Sequence, residues 1–202
     1  MGGMVYVPNF GEKGILVSLG GAQEGIQRQG YEYNLIEFSK ARVYDVSTKK
    51  WFEQPTTGDQ PPARKEFCAA GVASNSNTYE ILIYAGWGGN LGAKAMRFDE
   101  AYVLTLPGFH WVKANYTAVN PRHGLSCNSV GGGQILTIGG VDSKMDGNRD
   151  GDLYKGVFDT QDPFAQGLGI FDLSTMAWKD SYNSSQKAYV PSPEIQRFYD
   201  DK

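Results

Sequence analysis

The side chains best suited to metal or nucleophilic chemistry are few: two histidines, His110 and His123, and two cysteines, Cys68 and Cys127, in 202 residues. No Gly-x-Ser-x-Gly elbow, phosphate-binding P-loop or Gly-x-Gly-x-x-Gly fingerprint occurs. Oxygen ligands are better represented. Asp146, Asn148, Asp150 and Asp152 stand at alternate positions, with Gly151 sixth and Leu153 eighth, the order of an EF-hand calcium loop. The closing bidentate acid is missing, because Val157 stands twelfth, and no helical pattern flanks the loop. It reads as an acidic, glycine-rich surface loop, with calcium as the subsidiary reading. Two arginines follow prolines, in Pro62-Ala63-Arg64 and Pro121-Arg122. Their forked donors suit a carboxylate if exposed, and suit loop carbonyls if buried; both readings stand.

The elements that must position these groups repeat. Gly14-Ile15-Leu16-Val17-Ser18-Leu19-Gly20-Gly21, Glu80-Ile81-Leu82-Ile83-Tyr84-Ala85-Gly86 and Gln134-Ile135-Leu136-Thr137-Ile138-Gly139-Gly140 are short aliphatic runs that stop on glycine. Such runs read as strands buried on both faces. After a variable loop comes Val43-Tyr44-Asp45-Val46-Ser47-Thr48-Lys49-Lys50-Trp51, and later Ile170-Phe171-Asp172-Leu173-Ser174-Thr175-Met176-Ala177-Trp178. The middle copy, from Tyr102 to Trp111, is two residues longer and lacks the aspartate. Trp51, Trp111 and Trp178 recur sixty and sixty-seven residues apart. Repeats on this scale indicate a repeat architecture. Recurring tryptophans are expected to pack between neighbouring units, as Gly20, Gly21, Gly139 and Gly140 are expected to serve sharp backbone bends.

Aliphatic strand, glycine pair, long gap, aromatic-Asp, turn, tryptophan, then Pro and Arg opening the next unit: this order resembles the kelch repeat. The segments Arg122-His123-Gly124-Leu125-Ser126-Cys127 and Pro163-Phe164-Ala165-Gln166-Gly167-Leu168-Gly169-Ile170-Phe171-Asp172 are similar to fungal kelch-repeat proteins of the galactose oxidase/kelch propeller superfamily. The resemblance implies an all-β fold, a kelch-type β-propeller segment of about three four-stranded antiparallel blades. Blades are expected at 1–57, 58–119 and 120–187, with a C-terminal tail at 188–202 carrying a short helix around Glu194–Tyr199. The expected strands are 4–8, 15–19, 41–46 and 50–53, then 67–73, 79–85, 98–106 and 111–116, then 125–130, 134–138, 167–173 and 177–182. A propeller closes with roughly four to eight blades, so three imply part of a larger ring with open strand edges.

Twenty-six glycines and 13% aromatic residues fit an all-β protein with many tight turns. A net charge of −3 gives no broad basic field, which argues against nucleic acid as a partner. No apolar run approaches the length of a membrane span, and Met1-Gly2-Gly3-Met4 lacks the regions of a signal peptide. Relatives in the resembled subgroup carry a secretory signal and a membrane anchor outside this region, so the expected setting is extracellular or cell-surface, with any membrane attachment made by such an anchor. Asn115-Tyr116-Thr117 and Asn183-Ser184-Ser185 match the glycosylation sequon; both fall late in or just after a fourth strand, where a glycan has room.

Cys68 and Cys127 occupy nearly the same slot one blade apart. A bridge needs α-carbons within about 7 Å, and equivalent positions on adjacent innermost strands are usually farther apart. The expectation is two free, buried thiols, with pairing to a cysteine elsewhere left open.

The long loops join second to third strands, at 22–40, 87–97 and 141–166. Strand parity places them on the same face as the links between blades, together with Arg64, Arg122 and His123, and with Arg28 and Arg149 inside the loops. Variable loops on a rigid scaffold are where binding usually sits. The expected function is therefore a non-catalytic scaffold that binds an unidentified protein or carbohydrate through that face, without a cofactor. The superfamily also implies two alternatives. A galactose oxidase-like copper site needs histidines and a tyrosine cross-linked to cysteine, but His110 and His123 fall on opposite faces. An iron-dependent specifier-type protein needs carboxylates at the channel mouth, where Asp142, Asp146 and Asp150 lie on the correct face.

Overall fold

A computed structural model describes residues 2–23, 34–89, 98–142 and 161–201. Three antiparallel meanders account for most of it. The first joins β1 (Gly3–Val7) and β2 (Ile15–Leu19), then continues after a small ribbon of β3 (Ala22–Gln23) and β4 (Asn34–Leu35) into β5 (Lys40–Asp45) and β6 (Lys50–Pro55). The second begins in its link with β7 (Thr57–Gly58), then runs β8 (Cys68–Ala73), β9 (Tyr79–Tyr84), β10 (Ala101–Leu106) and β11 (His110–Lys113); β7 adds to the outer edge, parallel to β11. The third opens with β12 (Arg122–His123), which pairs with β15 (Val141–Asp142). Its four main strands are β13 (Ser126–Ser129), β14 (Gln134–Ile138), β16 (Leu168–Asp172) and β17 (Ala177–Lys179). The tail ends in helix α1 (Pro193–Asp200), capped by Ser192, whose side chain accepts from the Ile195 amide.

The repeated residues have repeated local jobs. Asp45 Oδ1 accepts from the Ser47 amide at 2.8 Å and the Thr48 amide at 3.1 Å, and Asp172 Oδ1 accepts from the Ser174 amide at 2.9 Å. Each aspartate thereby closes the turn into the fourth strand. Lys49, Phe109 and Met176 each stand two residues before a repeat tryptophan, and all three adopt positive φ. The second strands end alike, on Gly20-Gly21, Ala85-Gly86 and Gly139-Gly140, both residues of each pair having positive φ. Only glycine does this freely. At Gly20 space adds a second reason, since a Cβ would lie 2.5 Å from the Phe38 ring.

The middle meander lacks the turn aspartate and uses α1 instead. The Tyr199 hydroxyl accepts from the Gly108 amide at 3.1 Å and lies 3.0 Å from Thr105 Oγ1, while Phe198 stacks on His110. The tail is thus docked on the middle sheet, with Ile195 and Tyr189 inside its core.

Two apolar cores lie between the sheets. The first holds Val5, Val17, Leu19 and Phe38 of the first meander against Ile81, Ile83, Leu104 and Trp111 of the second. The other packs Leu82, Tyr84 and Val103 of the second against Ile135 and Phe171 of the third. Trp111 is fully buried, edge-on to Phe38 at 5.6 Å, with Nε1 donating to the Phe38 carbonyl at 3.3 Å. Trp178 reaches back in the same way, its ring 4.7 Å from Tyr84. Trp51 departs from the expectation of burial, being 54% exposed. Each repeat tryptophan faces the sheet before it, and Trp51 belongs to the first.

The cysteines correct a second expectation. Cys68 and Cys127 form a disulfide, with α-carbons 5.3 Å apart. Their slots differ by one residue: Cys68 lies four after Arg64, whereas Cys127 lies five after Arg122. Since side chains alternate along a strand, that offset turns one thiol forward and the other back, across the seam where β8 and β13 run side by side.

Candidate functional site

The links between meanders and the exits of the second strands meet at one end of the sheets. The Gly21 amide donates to the Arg64 carbonyl at 3.0 Å, Gly86 to Arg122 at 2.8 Å, and Gly124 to Glu66 at 2.8 Å. Each bond ties one repeat to the next link, so this rim is braced by backbone.

Arg64 and Arg122 are buried within it. Arg64 donates from Nη1 to the Ala85 carbonyl at 3.0 Å and from Nε to the Pro62 carbonyl at 3.1 Å, with its guanidinium 3.8 Å from the Phe98 ring centre. Burial draws its pKa down to about 10, so it stays charged at neutral pH. Arg122 donates to the Gly140 carbonyl at 2.9 Å and the Gln161 carbonyl at 3.0 Å, and pairs with Asp162 at 3.4 Å. Each guanidinium therefore fixes the exit of the second strand of its own sheet. Of the two roles open in the sequence, these contacts perform the structural one.

His123 is part-buried at the same rim, within a cluster whose other members, Lys65, Glu66 and Trp87, the sequence did not single out. Lys65 and Trp87 exchange backbone hydrogen bonds at 2.9 and 2.8 Å, and Lys65 Nζ lies 4.6 Å from the Trp87 ring centre. Trp87 stacks on His123, ring centres 5.4 Å apart. Glu66 lies between Lys65 and His123, 3.5 Å from Lys65 Nζ and 3.9 Å from His123 Nε2. Burial lowers the His123 pKa, with Glu66 working against it, Lys65 with it and Asp142 against it. The result is a half-buried aromatic surface edged by both signs of charge. Lys65 is buried within it, and Trp87, His123 and Glu66 are part-buried. Its sequence signal was the charged run Arg64-Lys65-Glu66 after the proline step, and a fourth tryptophan outside the repeat position.

A second missed residue is Asp99, at the foot of the same link. The Tyr84 hydroxyl donates to it at 2.8 Å, and the Val119 and Asn120 amides donate at 2.7 and 2.6 Å. The Tyr116 hydroxyl donates to the Asp99 carbonyl. Burial, then the Asp99 charge, pushes the Tyr84 pKa up, which keeps that hydroxyl a donor.

His110 lies apart from this rim, with Nδ1 2.9 Å from Thr57 Oγ1 and its ring against Phe198. Arg28, Arg149, Asp146, Asn148, Asp150 and Asp152 lie outside the described residues, as do most of the long loops. Asn115 and Asn183 are exposed. Among the described residues, no three His, Cys, Asp or Glu side chains are grouped to hold a metal, and no helix is long and apolar enough to cross a membrane.

No family model matches the chain. A Kelch repeat-containing protein of Arthroderma benhamiae is 28% identical to it over 187 residues, 91% of this chain and 24% of that protein. The solved structure of YjhT matches with a TM-score of 0.52 at 16% identity, over 93% of this chain and 52% of that one. The chain is a kelch-type β-propeller segment. Its three meanders are kelch blades, and it spans about a quarter of the length of the curated relative it matches. Trp111 and Trp178 are the wedges between blades, and the Lys65–Trp87–His123–Glu66 cluster sits where the links meet the exits of the second strands.

Proposed function

We propose that this kelch segment is a non-catalytic binding scaffold that takes a protein or glycan ligand on its loop-bearing face, in a protein exposed at the cell surface or secreted. The Trp87–His123 stack, with Lys65 and Glu66 at its edge, is the observation that carries the reading. It offers an aromatic platform and paired charges on a rim fixed by backbone bonds, which suits recognition more than turnover. The Cys68–Cys127 bridge supports an oxidising compartment, because such bridges persist mainly outside the cytosol. The exposed sequons at Asn115 and Asn183 accord with the same route.

The test is an array of fungal-type glycans and extracellular proteins probed with the chain and with its Trp87→Ala and Glu66→Gln variants. The expected result is a ligand whose affinity falls about tenfold or more in Trp87→Ala and less in Glu66→Gln, with the melting temperature of Glu66→Gln unchanged. A ligand held equally well by both variants would put the site elsewhere. Stoichiometric copper or iron in the purified protein, together with turnover, would overturn the non-catalytic reading.

A further inference from the structure

The middle blade carries a cleft at the end opposite the rim. Its walls are the turn between β8 and β9, Pro107 in the turn between β10 and β11, and the tail from Val190 into α1. It encloses about 630 Å³, within the range of small-molecule sites.

Both polar walls are held in place from behind. Ser74 Oγ accepts from the Ser76 and Thr78 amides at 3.0 and 3.1 Å and lies 2.8 Å from Thr78 Oγ1. That bonding fixes a turn in which Asn77 adopts a φ of 58°, a left-handed conformation that asparagine tolerates better than most residues. On the other wall α1 is anchored through Tyr199 and Ile195. The Gln196 side chain is pinned there, donating from Nε2 to the Pro191 carbonyl at 2.6 Å.

The polar groups that remain form a mixed set of donors and acceptors. Asn75 accepts the Ser76 hydroxyl on Oδ1 at 3.2 Å. Its amide nitrogen, both ends of the Asn77 amide, Gln196 Oε1 and the Asp200 carboxylate have no partner among the described residues. Asp200 is the only charge among the described lining residues, so no cation there would pair with a phosphate or carboxylate ligand. Primary amides both donate and accept, as hydroxyl groups do, and a carboxylate accepts from hydroxyls. Pro107 and Val190 add exposed apolar surface beside these groups, Val190 being 44% exposed.

We propose that this cleft binds a neutral saccharide of one or two rings. Asn75, Asn77, Gln196 and Asp200 bond its hydroxyls, while Pro107 and Val190 meet the C–H face of the sugar. The site is separate from the Trp87–His123 rim and does not depend on a ligand being bound there.

Isothermal titration calorimetry and saturation-transfer difference NMR on the whole chain test this, with glucose, mannose, galactose, N-acetylglucosamine and their β-linked disaccharides as probes. The expected result is a neutral sugar held with a Kd of about 1 mM or tighter. Asn77→Gly removes one amide and keeps the positive φ, and Asp200→Ala removes the carboxylate from an exposed position. Each is expected to weaken binding about tenfold, with the melting temperature unchanged, while Trp87→Ala leaves the affinity as it was. No binding of any of these sugars at about 10 mM overturns the proposal. A sugar lost in Trp87→Ala and kept in Asn77→Gly moves the site to the rim, and one held equally by all three variants places it elsewhere; either result overturns the cleft. Tighter binding of glucose 6-phosphate than of glucose overturns the assignment to a neutral ligand.

Discussion

The two interfaces between blades are built from the same repeat and held in different ways. Between the first and second blades nearly everything is packing. Trp111 fills the gap beside Phe38, Phe38 meets Phe67 edge-on at 5.6 Å, and the polar supplements are single bonds such as Tyr79 Oη to the Tyr6 carbonyl at 3.1 Å. Between the second and third blades the tryptophan is only half-buried. That interface adds a disulfide near the first strands, the Asp99 network at one end, and the docked tail with α1 at the other. A seam made by packing loses much when one large side chain goes, because the surroundings relax only partly. A seam with several independent ties loses one tie at a time.

The sharpest way to break this comparison is to truncate equivalent tryptophans. Trp111→Ala is expected to cost about 3–5 kcal/mol in denaturant unfolding, the range for a fully buried large aromatic residue. Trp51→Ala is expected to cost within about 0.5 kcal/mol, as exposed positions do. Equal costs at the two sites would mean that Trp51 is covered in solution.

Next comes the bridge. Replacing both Cys68 and Cys127 by serine is expected to lower stability by roughly 2–4 kcal/mol, because the cross-link closes a long loop in the unfolded chain. The second interface should nevertheless remain assembled, with Tyr84, Trp178 and the Asp99 network in place. Near-ultraviolet circular dichroism of the variant checks this: a lost aromatic signal at temperatures where far-ultraviolet signal persists would show that the bridge alone holds the blades together.

Most of the strand order was legible in the sequence because each blade strand carries its own pattern. Ile15–Leu19 and Gln134–Ile138 run between the same residues as expected, and the rest shift by a few residues at their ends. What escaped depended on relations between units. Trp51 holds the same register position opposite its third strand as Trp111 does, but its burial is decided by a neighbouring sheet. The cysteine pairing turned on a one-residue offset, invisible when the two were read as one slot. The two rim arginines allowed both a ligand and a structural role until their carbonyl partners were placed. At the candidate site, Lys65 and Glu66 share one link, Trp87 follows the second strand of the same blade and His123 lies in the next link, and only the bonds between these segments bring them together. Glu80 escaped for the opposite reason, since a glutamate opening an apolar strand looks like an exposed end residue.

Glu80 gives the smallest and most specific test of the tied interface. It is fully buried, on the forward side of the second blade beneath the tail, with Oε1 accepting from Thr105 Oγ1 at 2.9 Å. Burial raises its pKa above 4.5, against weaker lowering by the hydroxyls of Thr78, Thr105 and Tyr189. The folded state therefore holds this proton more tightly than the unfolded chain does. Its contribution to stability is fully present below about pH 4.5, the ordinary value of the unfolded side chain, and is lost as pH rises through the folded pKa. At neutral pH the carboxyl is a burden on the native state. Glu80→Gln keeps the shape and removes the titration, so its melting temperature should equal or exceed that of the wild type at pH 7, by about 2–4 °C for each kcal/mol relieved. The gap should close as pH falls towards 4.5. A variant that melts well below the wild type at neutral pH, with the deficit growing as pH rises, would show that the ionised carboxylate is itself a tie between the second blade and the tail.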